Sequence, residues 1–87
     1  MNADYYEKSH GYFLEDIFVG QEADLISLVK DEDIDTFSKI TGDTNPIHID
    51  DEFAKNSIFK KKIAHGFLSA SYISAVIGTK LPGPGCI

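Results

Sequence analysis

Residues 67–80, FLSASYISAVIGTK, most limit what this chain can become. Wound as an α-helix, Phe67, Leu68, Ala70, Tyr72, Ile73, Ala75, Val76 and Ile77 cover every face. Only small serines and the Tyr72 hydroxyl interrupt them. A helix that is apolar all round has no face to give to water and is buried on all sides. The pattern predicts one helix from about residue 66 to 79, roughly 21 Å long, with LPGPG (81–85) turning the chain after it. Wrapping such a helix takes a sheet of several strands. EADLISLVK (22–30) alternates in part and predicts one strand, and Cys86-Ile87 reads as the start of another. The expectation is that these 87 residues are the first part of something larger, or that another chain supplies the cover.

Length sets one small domain at most. The single cysteine, Cys86, leaves no internal disulfide framework and no Cys-rich zinc site. The N-terminus MNADYYEKSH has no basic region followed by an apolar run, and the apolar stretch 67–78 is too short and serine-rich to span a bilayer. A soluble cytoplasmic protein with no membrane partner is therefore expected. Charge is divided along the chain. All fourteen acids and three of the eight lysines lie before Phe53, and the rest has five lysines and no acid. An acidic protein repels nucleic acid, and nothing here suggests a nucleic-acid-binding stripe. The basic run Lys60, Lys61, Lys62 reads either as a solvated loop or as a contact for a small phosphorylated ligand.

Residues 1–21 read as an irregular N-terminal segment. Asp31 then reads as an N-cap with Glu32 and Asp33 in the first turn, where the helix dipole favours acids. Ile34, Phe37 and Ile40 follow as the apolar residues of a short helix that Gly42 stops. The helix delivers the chain into TGDTNPIHID (41–50). Pro46 fixes its own φ and pushes Asn45 toward extended conformations, and Asp43 and Asn45 can bond locally to the backbone. A rigid turn of this kind can bring Asp43 and His48 to one point. A carboxylate and an imidazole on one water can take and return a proton near neutral pH. The competing reading is that Asp43 caps a turn and His48 is half-buried on a backbone partner. A metal site from His48, Asp50, Asp51 and His65 meets no known ligand spacing, so no metal is expected. Asp50 or Asp51 can cap a further short helix that KNS (55–57) ends, and IFKKKIAHG (58–66) is expected to run extended. His65 caps or packs where the apolar helix begins. Gly66 either permits tight packing there or lets a ligand approach the N–H groups of the helix start.

The stretch from Ser38 to Ile87, with GDTNPIH followed by FKKKIAHG, resembles the MaoC-like family of (R)-specific enoyl-CoA hydratases. The likeness runs from about Glu22 to the end. The ending ISAVIGTKLPGPG is most similar to hydratase domains that precede a phosphate acetyltransferase in bifunctional bacterial proteins. The resemblance implies an α+β hot-dog fold, in which an antiparallel sheet wraps a long central helix; residues 1–87 hold only its N-terminal half. It implies reversible addition of water to a trans-2-enoyl-CoA with Asp43 and His48 as the catalytic pair. Gly66 is then the donor to the thioester carbonyl, Asn45 shapes the loop, and Ser74 and His65 support the pair. It implies no cofactor, coenzyme A being part of the substrate, and a homodimer or higher homo-oligomer. Two alternatives stand beside it: a non-catalytic remnant that keeps the pair, and a hot-dog dehydratase acting on carrier-protein-bound chains.

Overall fold

The computed structural model describes residues 10–86; statements of absence below refer to these residues, and the expected strand start at Ile87 lies outside them. Four α-helices follow one turn of 3-10 helix at Leu14–Asp16: α1 (Asp31–Thr41), α2 (Pro46–Ile49), α3 (Asp51–Lys55) and α4 (Gly66–Thr79). The chain divides into two compact units, Ser27–Ala70 and, of the described residues, 10–26 with 71–86.

Local chemistry sets most of the helix ends in the Ser27–Ala70 unit. Asn45 precedes α2, and its side chain accepts from the Ile47 N–H at 3.2 Å, while Pro46 opens the helix with a φ that suits it. Asp50 does the same for α3, accepting from the Phe53 N–H at 3.1 Å. Caps of this kind contribute about 1 kcal/mol each, which matters for helices of four and five residues. Gly42 ends α1 with φ 78°, a left-handed conformation that suits glycine. At the other end the cap position is Lys30 rather than Asp31. The Lys30 N–H donates to the Asp33 carboxylate at 2.9 Å, so the acid that secures this end sits one turn inside the helix.

The buried face of α1 also differs from the expected one. Ile34 and Ser38 are buried and Phe37 is half-buried, whereas Ile40 is 77% exposed. Residues 34, 37 and 38 share one face at 3.6 residues per turn, and residue 40 stands about a third of a turn from it. The small interior holds Ile34 and Ala54 together with three polar residues, Ser38, His48 and His65.

In the other unit, the Gly11 N–H donates to Pro84 O at 2.7 Å and the Tyr12 N–H to Pro82 O at 2.6 Å. A Cβ on Gly11 would lie 1.9 Å from Pro82 O, so this approach of two backbones excludes any side chain. The Lys80 ammonium donates to the Asp24 carbonyl. The turn expected at 81–85 is present, with Gly83 and Gly85 at positive φ.

One expectation fails. Residues 22–30 form no strand. A strand exists only through a partner's N–H and C=O groups, and no described residues pair with this stretch. Helix α4 has the expected length, but none of its residues is buried, and Phe67 is 81% and Ile73 65% exposed. Burial on all sides needs layers on all sides, and the described residues do not supply them. No helix here is long and apolar enough to cross a membrane.

Candidate active site

The TGDTNPIHID segment is held to the segment before α4 through one residue. The Ile63 N–H donates to Ile47 O at 3.2 Å, and Ile63 O accepts from His48 Nδ1 at 2.8 Å. This two-point clamp delivers His65 to His48. Their rings stack with centroids 3.8 Å apart and 27° between planes, and Phe37 packs against the His65 ring with centroids 4.9 Å apart. A carboxylate oxygen of Asp43 and ring nitrogens of His48 and His65 all lie within 4.8 Å of one another.

The hydrogens follow from the partners. A carbonyl oxygen only accepts, so His48 carries its hydrogen on Nδ1 and donates to Ile63. Nε2 is then a bare lone pair with no hydrogen-bond partner among the described residues. His65 Nε2 lies 3.1 Å from the Asp43 carbonyl and 2.9 Å from Ser38 Oγ. The carbonyl again requires a hydrogen there, shared between the two oxygens. His65 Nδ1 is left as a buried acceptor without a partner, a cost of about 1–3 kcal/mol.

The turn reading of the motif is visible in the geometry. Asp43 does stabilise a turn, since its Oδ1 accepts from the Asn45 N–H at 3.3 Å. His48 is indeed buried on a backbone partner. Each group is held through one atom, which leaves its second oxygen or nitrogen uncommitted among the described residues. Asp43 is exposed and His48 buried, and a carboxylate oxygen of the one lies within 4.8 Å of a ring nitrogen of the other. A gap of under 5 Å between such atoms is spanned by one water at hydrogen-bond distance from each.

Gly66 opens α4, where the first-turn N–H groups lack intrahelical acceptors. A Cβ on Gly66 would meet nothing within 4 Å. Among the described residues, nothing packs against that position. Ser74 is an exposed residue of α4 in the other unit.

The three lysines do not act as one patch. Segment 58–61 is turns and bends rather than extended, and Lys60 has φ 64°. Lys60 and Lys61 are exposed, whereas Lys62 is half-buried and its ammonium lies 3.7 Å from the Asp51 carboxylate. Asp50 caps α3 and Asp51 meets Lys62, so neither joins the histidines as a ligand. Asp43, His48 and His65 do cluster, with His48 Nδ1 and His65 Nε2 already held by backbone carbonyls. Ser38 was not singled out in the sequence; its only signal is its place one turn after Ile34 on the buried face of α1.

The sequence profile of the family described as MaoC like domain matches residues 15–85. The chain belongs to the MaoC-like domain family. This MaoC-like chain is 49% identical over 76 residues to an (R)-specific enoyl-CoA hydratase of Rhodospirillum rubrum, covering 87% of the chain and 53% of that relative. It is 45% identical over 75 residues to a 3-hydroxybutyryl-CoA dehydratase of Methylorubrum extorquens, covering 86% and 48%. Among solved structures, the unliganded (R)-hydratase PhaJ1 of Pseudomonas aeruginosa superposes with a TM-score of 0.81 at 40% identity. That match covers 88% of this chain and 50% of the other. The MaoC-like chain thus shares the hot-dog fold of these hydratases and spans about half their length.

Proposed function

We propose that this MaoC-like domain carries the catalytic apparatus of an (R)-specific enoyl-CoA hydratase. The observation that supports it most is the approach of Asp43 to His48, a carboxylate oxygen within 4.8 Å of a ring nitrogen, in a segment fixed by a capped turn and the Ile63 clamp. In this reading the two hold a water. As its oxygen bonds to C3 of a trans-2-enoyl-CoA, the pair takes its proton, and the C2=C3 electrons move toward the thioester carbonyl. That oxygen gains negative charge and is met by the Gly66 N–H. A proton then passes from the pair to C2, which leaves the (R)-3-hydroxyacyl thioester and regenerates the pair. Atoms and charges balance without redox change, and the steps call on no metal or cofactor. Asn45 keeps the turn in shape. Lys60 and Lys61, exposed beside the segment that leads to Gly66, are candidates to meet the CoA phosphates.

The reading also needs walls that exclude water. Here the antiparallel sheet of the α+β hot dog wraps α4 and shapes the acyl tunnel, and a homodimer or higher homo-oligomer completes it. The cytoplasm, where acyl-CoA is available, is the expected compartment.

The test is turnover of crotonyl-CoA, followed by loss of the enoyl thioester absorbance, with the configuration of the product determined. Hydration to the (R)-3-hydroxy thioester supports the reading. A folded, helical protein inert toward crotonyl-CoA at all concentrations overturns it, and inertness toward carrier-protein-bound enoyl chains as well marks a non-catalytic remnant.

A further inference from the structure

Asp43 and Gly66 are 23 residues apart, yet the reaction proposed above requires both at one substrate. The residue that ties them is buried between them. His65 immediately precedes Gly66, so its ring is anchored at the start of α4. From there Nε2 reaches the Asp43 backbone carbonyl at 3.1 Å and Ser38 Oγ at 2.9 Å, and the ring covers His48 at 3.8 Å. Ser38 projects from α1, the helix that leads into the Asp43 turn. His65 is 2% exposed, so none of these contacts is shared with bulk water.

We propose that His65, oriented by Ser38, is a positioning residue for the Asp43–His48 pair. Its Nε2–H sets the height of the Asp43 turn over the helix start, and its ring fixes the plane of His48. The assignment rests on the hydratase reading for its effect on turnover but not for its geometry. Ser38 has no route to substrate of its own here. It is the second acceptor of the Nε2 hydrogen, and so it keeps the imidazole from rotating away from the carbonyl. Unlike the His48 ring, which keeps Nε2 bare, the His65 ring directs its Nε2–H into the protein and leaves Nδ1 without a partner. That is the arrangement of a brace, not of a proton carrier.

Three variants test this. His65→Phe keeps a flat ring over His48 and removes the Nε2–H. His65→Gln keeps a donor near the Nε2 position and removes the ring. Ser38→Ala removes only the second acceptor. Misplacing a reacting group by about 1 Å costs on the order of 100-fold, so His65→Phe should lower kcat for crotonyl-CoA by about 10- to 100-fold. The KM should stay within about twofold, because an interaction that only aligns the reacting groups does not hold the ground-state substrate. His65→Gln should recover part of the loss. Ser38→Ala, losing one neutral hydrogen bond, should cost roughly three- to tenfold. In parallel, nitrogen-15 spectra of the histidine side chains and of the Asp43 and Thr44 amides read the geometry without turnover. Wild type should show hydrogen on His65 Nε2 and on His48 Nδ1, and both amides should shift in His65→Phe and Ser38→Ala. Unmoved amides, hydrogen on His65 Nδ1, or a KM effect as large as the kcat effect overturns the brace. If the wild type fails to turn over crotonyl-CoA while the tautomers and amide shifts are as stated, the hydratase reading falls and the brace stands. Should His65→Phe not fold, Ser38→Ala carries the same readouts.

Discussion

The histidine cluster and helix α4 solve opposite problems within one short chain. The cluster is polar and mostly closed: Ser38, His48 and His65 are buried and hydrogen-bond to one another or to the backbone, with His65 Nδ1 and His48 Nε2 left without partners among the described residues. Helix α4 is apolar and open: none of its fourteen residues is buried. The cluster depends on short-range caps and on hydrogen bonds between residues no more than 27 apart. The helix depends on layers that the described residues do not contain. Polar groups placed by hydrogen bonds can be complete in a piece of a fold, because each bond needs one partner. Apolar burial cannot, because it needs a surface on every side.

The largest expected effect breaks the cluster at its chemistry. Asp43→Asn keeps the shape and the Asn45 contact but removes the carboxylate charge. His48→Gln removes the bare imidazole nitrogen. Each should lower kcat by about 10²- to 10⁴-fold with a much smaller change in KM, and the double variant should lose less than the product of the two. Full activity in either reduces the cluster to a well-packed turn.

Ile73→Asp probes the helix. If α4 is covered in the working protein, an unpaired carboxylate there is desolvated at a cost of several kcal/mol, and denaturant midpoint or oligomer mass should fall. A bare helix would tolerate the change, and equal stability and mass for variant and wild type would end the hot-dog cover for α4.

Gly66→Ala separates the two regions at the residue where they meet. The new methyl meets no protein atom, and alanine favours helix over glycine by up to about 1 kcal/mol. The thermal midpoint should hold or rise. If a thioester carbonyl comes to the Gly66 N–H, the methyl crowds it and kcat/KM should drop by about tenfold or more, against the 10²- to 10³-fold typical of losing such a donor. Unchanged kcat/KM would mean that nothing approaches Gly66.

The smallest effect concerns the lysines. Changing Lys60 and Lys61 to Glu should raise KM for an acyl-CoA several-fold and leave kcat nearly alone, because remote phosphate contacts give mostly uniform binding. Lys62→Glu should act differently, through loss of the Asp51 pair. With Asp51 89% exposed, that pair contributes about 0–1 kcal/mol. Equal KM shifts from all three would restore a single basic patch.

What could be read from the residues alone was local. Gly42 as a stop, local backbone bonds from Asn45, Asp50 or Asp51 as a cap and α4 from 66 to 79 depend on a few neighbouring side chains and on backbone conformations that those residues prefer. GDTNPIH with AHG also pointed to the family before any coordinate. Where local signals mislead, a distant partner is involved. Residues 22–30 have strand-like residues and no strand, because pairing belongs to two segments. Ile40 has the right character for the core and the wrong angle on α1. The run of lysines is contiguous in the chain and divided in space, because Lys62 reaches back to Asp51. Tertiary structure alone decided that Ser38 and His65 meet, that two imidazoles stack, and that His48 keeps Nε2 bare by giving its one hydrogen to Ile63. A sequence states which atoms can donate and accept; only the folded chain chooses their partners, and here that choice leaves the two atoms of Asp43 and His48 unspent.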